Sequence, residues 1–351
     1  MSKQMKVAVY HGAGDVRVEH RDRPTPQEGE VLLRVTRSGV CGTDASEWKA
    51  PKIFPVNFTH PHSGHHGPLV LGHEFVGVVE GGATDEFPVG TRVASGAGVS
   101  CGECPRCLEG STNLCTTYKT HGLNVDGGMA QYVAVAASTL VPIPNGLSDD
   151  AAGLAQPLAV GLHAARRSGA KAGDKVLLVG AGAIGTFVLA GLKHLAEDVD
   201  VTVVDFSGPR LERALRLGAT SVIAVDSDDY EARLDALSGQ CDVTIEASGA
   251  PGQLNRLIYL TRDGGTLLQV GLPTTMPEVD IHRLVFREIT IRTTLAHVCR
   301  DDMPASLEIL ASTNLAEELL DSVRALEELP EQLDKLSRGQ IEGKVLFDPA
   351  M

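Results

Sequence analysis

Short apolar segments separated by turn residues occupy the first part of the chain. The segments KVAVY, VLLRV, FVGVV, TRVAS and MAQYVAV recur between clusters of Gly, Pro, Asn and Asp. Runs of this length, rich in β-branched residues and bounded by turn formers, are typical of strands. We therefore predict that residues 1–152 form a β-rich domain with many loops.

The pattern changes from about Asp174 onward. There the apolar segments KVLLVGAG and VTVVD are each followed by a helical pattern, and SVIAV, CDVTIEASG and GTLLQVG continue the series. Strands that alternate with helices at this spacing form βαβ units, whose parallel strands carry helices on both faces. Residues 153–295 are accordingly predicted to form a doubly wound α/β domain.

After Leu272 the alternation weakens. Residues 303–311 and 316–329 have helical patterns, and KVLFD near the end has the pattern of a strand. The stretch has the pattern of neither a third full domain nor a linker. We therefore predict that residues 296–351 return to the first domain and pack on it.

Composition and charge narrow the possible partners. A chain of 351 residues with 43% hydrophobic and 22% charged residues is typical of a soluble two-domain protein. Its formal net charge of -14 disfavours nucleic acid and anionic membranes as partners, because both are negatively charged. The apolar run 176–192 contains three glycines and is short for a membrane span. The start of the chain lacks a signal-peptide pattern, so we expect a cytoplasmic location.

A glycine-rich turn lies at the start of the predicted α/β domain. Gly180, Gly182 and Gly185 form G-x-G-x-x-G directly after a predicted strand and before a helix. Such glycines permit a tight turn, a close approach of the backbone to a pyrophosphate, and close packing of helix on strand. Asp205, 20 residues beyond Gly185, is placed to bind the ribose hydroxyls and to repel a 2'-phosphate, which favours NAD over NADP. The nearby Arg210 weakens this preference, because an arginine there tolerates a phosphate.

Four cysteines form a C-x2-C-x2-C-x7-C array. They are Cys101, Cys104, Cys107 and Cys115. Four thiolates close a tetrahedral shell around Zn²⁺ and leave no open position, so the predicted site is structural. Disulfides are the alternative, which a chain without a signal peptide disfavours.

A second cluster combines Cys41 in GVCGTD with His73 and Glu74 in LGHEF. Thiolate, imidazole and carboxylate are the ligands of catalytic zinc, which keeps one position open. Such an ion lowers the pKa of a bound alcohol. A purely structural role for these three residues is the alternative.

The motifs GVCGTD, GHEFVGVV, the four-cysteine loop, DGGMAQYV, QPLAVGLHA, VGAGAIG and GKVLFDP resemble those of the zinc-containing medium-chain dehydrogenase/reductase family. The resemblance is to its sorbitol, butanediol and threonine dehydrogenase branch and extends over nearly the whole chain. It implies a GroES-like catalytic domain, interrupted in sequence by a Rossmann domain. It also implies that the protein assembles as a homodimer or homotetramer.

The resemblance assigns roles to individual residues. It implies that Cys41, His73 and Glu74 bind a catalytic zinc and that Thr43 relays the substrate proton. It further implies that NAD is contacted by Gly180, Gly182, Ala183, Ile184, Gly185, Asp205, Arg210, Val270, Gly271, Leu272, Leu295, Ala296 and His297.

Two positions and one loop depart from the pattern of the family. Gln156 stands where similar polyol enzymes have a Glu near the catalytic zinc, and its amide oxygen remains a candidate zinc ligand without charge. Ser46 stands where many relatives have the final His of the proton relay; a serine passes a proton on but is not a base near neutral pH. A histidine-rich loop precedes the zinc residues, and we leave open whether one of its histidines ends the relay or all are surface residues.

Together, the motifs and the resemblance predict a zinc-dependent oxidoreductase that transfers hydride between NAD and a small secondary alcohol or ketone. A polyol, cyclitol or diol is the expected substrate. A glucose-type sugar 1-dehydrogenase is the alternative among enzymes, because similar glucose dehydrogenases also carry Gln at the position of Gln156. A non-catalytic protein that binds NAD or zinc is the alternative from another class, and the intact set of Cys41, His73, Glu74 and Thr43 disfavours it.

Overall fold

A computed structural model describes residues 4–273 and 275–351, which fall into two compact units. The first unit contains the described residues up to Gln156 together with Val298–Met351, and the second is Pro157–His297. The chain thus leaves the first unit once and returns to it.

The first unit begins with short strands and few helices. Its strands are β1 (Gln4–Gly12), β2 (Asp15–Asp22), β3 (Glu30–Gly39), β4 (Leu69–Val70), β5 (Glu74–Gly81), β6 (Arg92–Ser95), β7 (Gly98–Val99), β8 (Lys119–Thr120), β9 (Tyr132–Ala136) and β10 (Leu140–Pro142). Its helices are α1 (Gly42–Lys49), α2 (Pro105–Leu108) and α3 (Asp149–Ala152), with 3-10 turns at Thr112–Leu114 and Ala137–Thr139. Val31, Leu33 and Val35 alternate along β3 and are buried against Phe75 and Val93, which fixes the inner face of the sheet.

The second unit alternates helices and strands. Its elements are α4 (Ala155–Ser168), which the unit boundary crosses, β11 (Lys175–Val179), α5 (Ala183–Leu195), β12 (Asp200–Asp205), α6 (Pro209–Arg216), β13 (Ser221–Ala224), α7 (Tyr230–Asp235), β14 (Cys241–Glu246), α8 (Gln253–Leu260), β15 (Thr261–Gln269), α9 (Ile281–Phe286) and β16 (Thr290–Thr293).

The six strands of this unit form one parallel sheet in the order β13-β12-β11-β14-β15-β16. Successive residues of β11 enter different cores: Val176 and Leu178 pack in one cluster, and Leu177 and Val179 in another. A strand buried on both sides is the signature of a sheet with helices on both faces. The strand order reverses between β11 and β14, and ligands of such sheets bind outside the carboxyl ends of the strands at that point.

The last part of the chain completes the first unit. It contains α10 (Cys299–Ser312), α11 (Leu315–Leu319), β17 (Leu320–Ala325), a 3-10 turn at Leu326–Glu328, α12 (Leu329–Ser337) and β18 (Lys344–Asp348). β18 pairs antiparallel with β3 and parallel with β17. The large sheet therefore has the order β10-β6-β5-β3-β18-β17, with β9 also paired to β3.

One sequence-based expectation is wrong here. Residues 316–329 were expected to form one helix, but β17 interrupts them. The backbone of Leu320–Ala325 pairs with β18 instead, because tertiary pairing overrides the helical propensity of the surrounding leucines and glutamates.

No helix within residues 4–273 or 275–351 has both the length and the apolar character needed to cross a bilayer.

Candidate active site and metal centres

Two adjacent strands bring Cys41, His73 and Glu74 together. Cys41 is the N-cap of α1, just after β3, and His73 and Glu74 lie where β5 begins. β3 and β5 are antiparallel, with Gly39 opposite Glu74. One ligand atom from each of the three side chains lies within 4.8 Å of the other two. The predicted set is therefore a spatial cluster, with His73 and Glu74 buried.

Gly39 makes room for the carboxylate of Glu74. A Cβ atom at position 39 would collide with Glu74 Oε2 and would also come within 3.3 Å of the Leu346 side chain. Only glycine lets the end of β3 pass so close to a buried carboxylate. Gly39, on the strand opposite Glu74, therefore leaves the space that the Glu74 carboxylate occupies.

The carboxylate of Asp44 lies next to the imidazole ring of His73. Asp44 Oδ1 lies 3.7 Å from His73 Nδ1, and both atoms are buried without a hydrogen-bond partner in the described structure. Asp44 Oδ2 accepts a hydrogen bond of 2.9 Å from the Cys41 backbone N–H. A carboxylate that faces one ring nitrogen of a histidine leaves the other nitrogen for a metal.

Lys344 is the second supporting residue. Its Nζ forms an ion pair with Glu74 Oε2 and donates a 2.7 Å hydrogen bond to the Val40 carbonyl oxygen. Both side chains of the ion pair are almost fully buried. Although burial lowers the pKa of Lys344, the nearby Glu74 and Cys41 raise it overall, so Lys344 is charged.

The pKa values of His73 and Asp44 reflect the crowding of negative groups. Burial lowers the pKa of His73, but Asp44 and Cys41 together raise it to about 10. Burial raises the pKa of Asp44, against the attraction of His73. Without a metal, a proton is thus held among these anionic groups, which is the electrostatic character expected of a cation site.

The residues present fit a zinc ion. With Cys41 as thiolate, Glu74 and Asp44 ionised, His73 neutral and Lys344 charged, two negative charges remain, and a divalent cation cancels them. Thiolate, imidazole and carboxylate are the donors that Zn²⁺ takes, and the buried Nδ1 of His73 already faces its supporting carboxylate.

The sequence alone did not reveal Asp44 and Lys344 as supporting residues. Asp44 stands in the GVCGTD motif, whereas nothing local marks Lys344.

The structure also places the other predicted catalytic residues. Thr43 Oγ1 lies 3.9 Å from Cys41 Sγ. Ser46 is exposed, and its hydroxyl donates to the Gly42 carbonyl oxygen at 2.9 Å, within α1. Gln156 is buried in the first turn of α4. The roles of Ser46 and Gln156 remain predictions.

The histidine-rich loop lies between α1 and β4. His60 Nδ1 accepts a 3.1 Å hydrogen bond from the Ser63 backbone N–H, which commits this nitrogen to the turn. His62 and His66 are exposed, and His65 is half-buried. A role for any of these histidines in proton transfer remains a hypothesis.

The four-cysteine loop is arranged for a second zinc. The Sγ–Sγ distances are 3.5 Å for Cys104–Cys107, 3.5 Å for Cys115–Cys101 and 3.9 Å for Cys101–Cys107. Tetrahedral Zn²⁺ with bonds of about 2.3 Å requires sulfurs about 3.8 Å apart, whereas a disulfide requires about 2 Å. Backbone N–H groups of Thr116 and Cys107 lower the pKa of Cys104 to about 6, which favours a thiolate there. The loop therefore fits a closed, structural zinc site.

The glycine-rich turn has the predicted strand-turn-helix setting between β11 and α5. Gly180 has φ +101°, a left-handed conformation that favours glycine, and a Cβ on Gly185 would collide with the Gly180 carbonyl oxygen. A Cβ on Gly182 would meet no protein atom within 4 Å, so this glycine faces open space where a pyrophosphate can approach. Asp205 closes the turn, because its Oδ2 accepts a 2.6 Å hydrogen bond from the Ala181 N–H.

The remaining residues predicted to contact NAD follow the carboxyl ends of strands in the parallel sheet or begin the helices after them. Val270, Gly271 and Leu272 follow β15, and Leu295, Ala296 and His297 lie just after β16. Ala296 adopts φ +47°, which is uncommon for a residue other than glycine. Backbone strain of this kind tends to persist where function requires it. Arg210 lies in the first turn of α6, and Ala183 and Ile184 begin α5.

Two family models match the chain. The alcohol dehydrogenase GroES-like domain matches residues 27–145, and the zinc-binding dehydrogenase model matches residues 183–312. The predicted combination of a GroES-like and a Rossmann domain is thereby confirmed.

Known proteins are similar over nearly the full chain. Sorbitol dehydrogenase from Macaca fascicularis is 33% identical over 319 residues, which cover 88% of this chain and 85% of that protein. (R,R)-butanediol dehydrogenase from Bacillus subtilis is 32% identical over 352 residues, which cover 98% of this chain and 100% of that protein. The crystal structure of 2R,3R-butanediol dehydrogenase from Bacillus subtilis superposes with a TM-score of 0.88 at 31% identity, and the match covers 98% of this chain and 99% of that one.

Proposed function

The chain belongs to the zinc-containing medium-chain dehydrogenase/reductase family, and on that premise we propose that it oxidises a secondary alcohol with NAD, reversibly, at a zinc centre. The convergence of Cys41, His73 and Glu74 within 4.8 Å carries this proposal. A second, structural zinc belongs to the four-cysteine loop. The substrate is a small polyol, cyclitol or diol, as the names of the similar sorbitol and butanediol dehydrogenases suggest.

Each residue near the centre has a defined task in this proposal. Zinc, when bound, polarises the substrate oxygen and makes its hydroxyl more acidic. Cys41, His73 and Glu74 would hold the ion, Asp44 would orient the ring of His73, and the hydroxyl of Thr43 would relay the substrate proton to water.

The second unit binds NAD and orients it toward the substrate. The N-terminus of α5 presents backbone N–H groups to the pyrophosphate, and Asp205 accepts hydrogen bonds from the adenosine ribose. The cofactor carries the hydride chemistry, so the task of the protein is to position it against the substrate carbon.

We also propose a homo-oligomer that forms through the edge of the parallel sheet. β16 is an edge strand, and all four of its residues are exposed. The adjoining α9 has no buried residue and exposes Ile281, Val285 and Phe286. An exposed strand edge beside an apolar surface is suited to pairing with a second copy about a two-fold axis.

A cytoplasmic location is proposed on chemical grounds. A reducing compartment keeps the four loop cysteines as thiolates for zinc rather than as disulfides.

A substrate panel tests the proposed activity. Purified protein with NAD is incubated with butane-2,3-diol, sorbitol, inositol or glucose, and NADH absorbance is followed. We expect NADH with at least one diol, polyol or cyclitol, and none for His73→Asn, while Cys241→Ser, which alters a buried cysteine of the other unit, stays active. NADH with glucose alone would establish the sugar dehydrogenase alternative. Binding of NADH without turnover of any substrate would indicate a non-catalytic protein.

A further inference from the structure

The turn that follows β12 has its hydrogen-bond donors already engaged. Phe206 N–H donates to Asp205 Oδ1 at 2.7 Å. Ser207 N–H donates to Asp226 Oδ1 at 2.8 Å, and the Ser207 hydroxyl donates to Asp226 Oδ2 at 2.6 Å. Three donors of this turn therefore point at two carboxylates.

Sheet topology explains the presence of Asp226 at this turn. β12 and β13 are parallel neighbours, with Asp205 opposite Ala224. Asp226 lies two residues beyond Ala224, so it leaves the sheet at the same edge as the turn after Asp205. Its two carboxylate oxygens accept hydrogen bonds from both donors of Ser207, which follows the adjacent strand. The hydrogen bonds from Ser207 lower the pKa of Asp226, so this carboxylate is charged at neutral pH.

This turn borders the adenosine ribose in a site of this fold. To accept a 2'-phosphate, such a turn must offer hydrogen-bond donors or a cation, since a phosphate has only acceptor oxygens and carries negative charge. Ser207 lies two residues after Asp205 and has two hydrogen-bond donors. The carboxylate of Asp226 accepts hydrogen bonds from both. Asp226 also adds a second negative charge next to Asp205.

We propose that Asp226 is a cofactor-specificity residue, which excludes NADP by occupying the donors of Ser207 and by repelling a 2'-phosphate. The inference rests on the proposed use of NAD and adds a second determinant to Asp205. Asp226 acts through Ser207 and through its own charge, and it does not contact the reacting atoms. It also limits Arg210, whose attraction for a phosphate has to act against two carboxylates.

Binding of both reduced cofactors to the full-length, zinc-loaded protein tests this proposal. Dissociation constants for NADH and NADPH are measured by cofactor fluorescence at low ionic strength for the wild type, Asp226→Asn and Asp226→Ser. Asparagine keeps an acceptor for Ser207 but loses the charge, whereas serine also releases the donors. Asp228→Asn is the matched control, because Asp228 is exposed two residues further along the same segment.

We expect the ratio of the NADPH to the NADH dissociation constant to fall about fivefold to tenfold in Asp226→Asn, and further in Asp226→Ser. Asp228→Asn should leave this ratio unchanged. An unchanged ratio in both Asp226 variants would overturn the proposal, as would an equal fall in Asp228→Asn, which would indicate a general charge effect. If Asp226→Asn does not fold, Asp226→Ser gives the same decision. Failure of the wild type to bind NADH would instead refute the proposed function itself.

Discussion

At the scale of single residues, the buried pair of Lys344 and Glu74 determines how the zinc site is built. Glu74 comes from the start of β5 and Lys344 from the start of β18, so the last strand of the chain supplies a cation to a site formed by residues near its beginning. A buried carboxylate needs a compensating charge, because its desolvation is costly. In the zinc-free protein, Lys344 forms a buried ion pair with Glu74.

Replacing Lys344 by methionine should therefore destabilise the zinc-free protein. We expect the free energy of unfolding to fall by about 3–5 kcal/mol, since the buried Glu74 carboxylate loses its ion-pair partner. Urea unfolding measures this change, and adding Glu74→Gln should restore part of the loss. Lys335→Met is the control: its partner Glu331 is 62% exposed, so the change should stay under about 1 kcal/mol. Equal effects of the two lysine substitutions would contradict a buried, energetically important pair.

The resemblance places Gln156 near the catalytic zinc, and we predict that this neutral side chain spares the centre a further negative charge. With zinc bound, Cys41, Glu74 and Asp44 are balanced by the ion and Lys344, so a neutral Gln156 leaves the centre neutral. Gln156→Glu should make it negative and weaken its power to acidify a substrate hydroxyl. We expect the pH at which kcat is half-maximal to rise in this variant, as measured by initial rates across pH. A profile that does not move would remove Gln156 from the charge balance.

Residue types and short motifs were enough to predict Cys41, His73, Glu74 and the four loop cysteines as zinc ligands. They could not predict Asp44 and Lys344 as supports. The role of Lys344 depends on β18 lying next to β3, a pairing between residues about 300 positions apart. Asp226 was missed for the same reason, because its partner Ser207 lies on a neighbouring strand end.

At the scale of elements, the turn between β11 and α5 contains one glycine that is required by packing and another that faces open space. Gly185 is required by packing, since a Cβ there would collide with the Gly180 carbonyl oxygen. Gly182 has no such neighbour within 4 Å and faces open space. Two glycines of one motif therefore serve different purposes.

Substitution by alanine should distinguish these two purposes. We expect Gly185→Ala to lower the free energy of unfolding by about 1–3 kcal/mol, because the helix has to move away from the strand. Gly182→Ala should change stability by less than about 1 kcal/mol yet weaken NADH binding by about tenfold, since the new methyl group occupies the approach of the pyrophosphate. Chemical denaturation and fluorescence titration give the two quantities. Normal NADH affinity in Gly182→Ala would refute its role at the cofactor.

The sequence pattern predicted the βαβ elements and the helix at residues 303–311 well, but it missed the strand within residues 316–329. β11 and β12 are rich in valine and leucine and lie next to turn signals, so their type is clear from local pattern alone. Residues 320–325 have no such signal, and only the neighbouring β18 makes them a strand.

At the scale of the whole molecule, the free edge of the parallel sheet predicts assembly. The double variant Phe286→Glu/Ile291→Lys places charges on α9 and β16, and we expect it to be monomeric in sedimentation velocity while the wild type is at least dimeric. Val89→Glu is the control, because Val89 is an exposed apolar residue of the other unit. A wild-type monomer, or a double variant that assembles normally, would contradict an interface at this edge.

The zinc dependence of turnover is the decisive test of the proposed function. NADH formation with the best diol or polyol is measured before chelation, after removal of zinc, and after Zn²⁺ is restored. We expect turnover to be lost with the zinc bound by Cys41, His73 and Glu74 and to return when Zn²⁺ is added. Full turnover in protein shown to contain no zinc would contradict it.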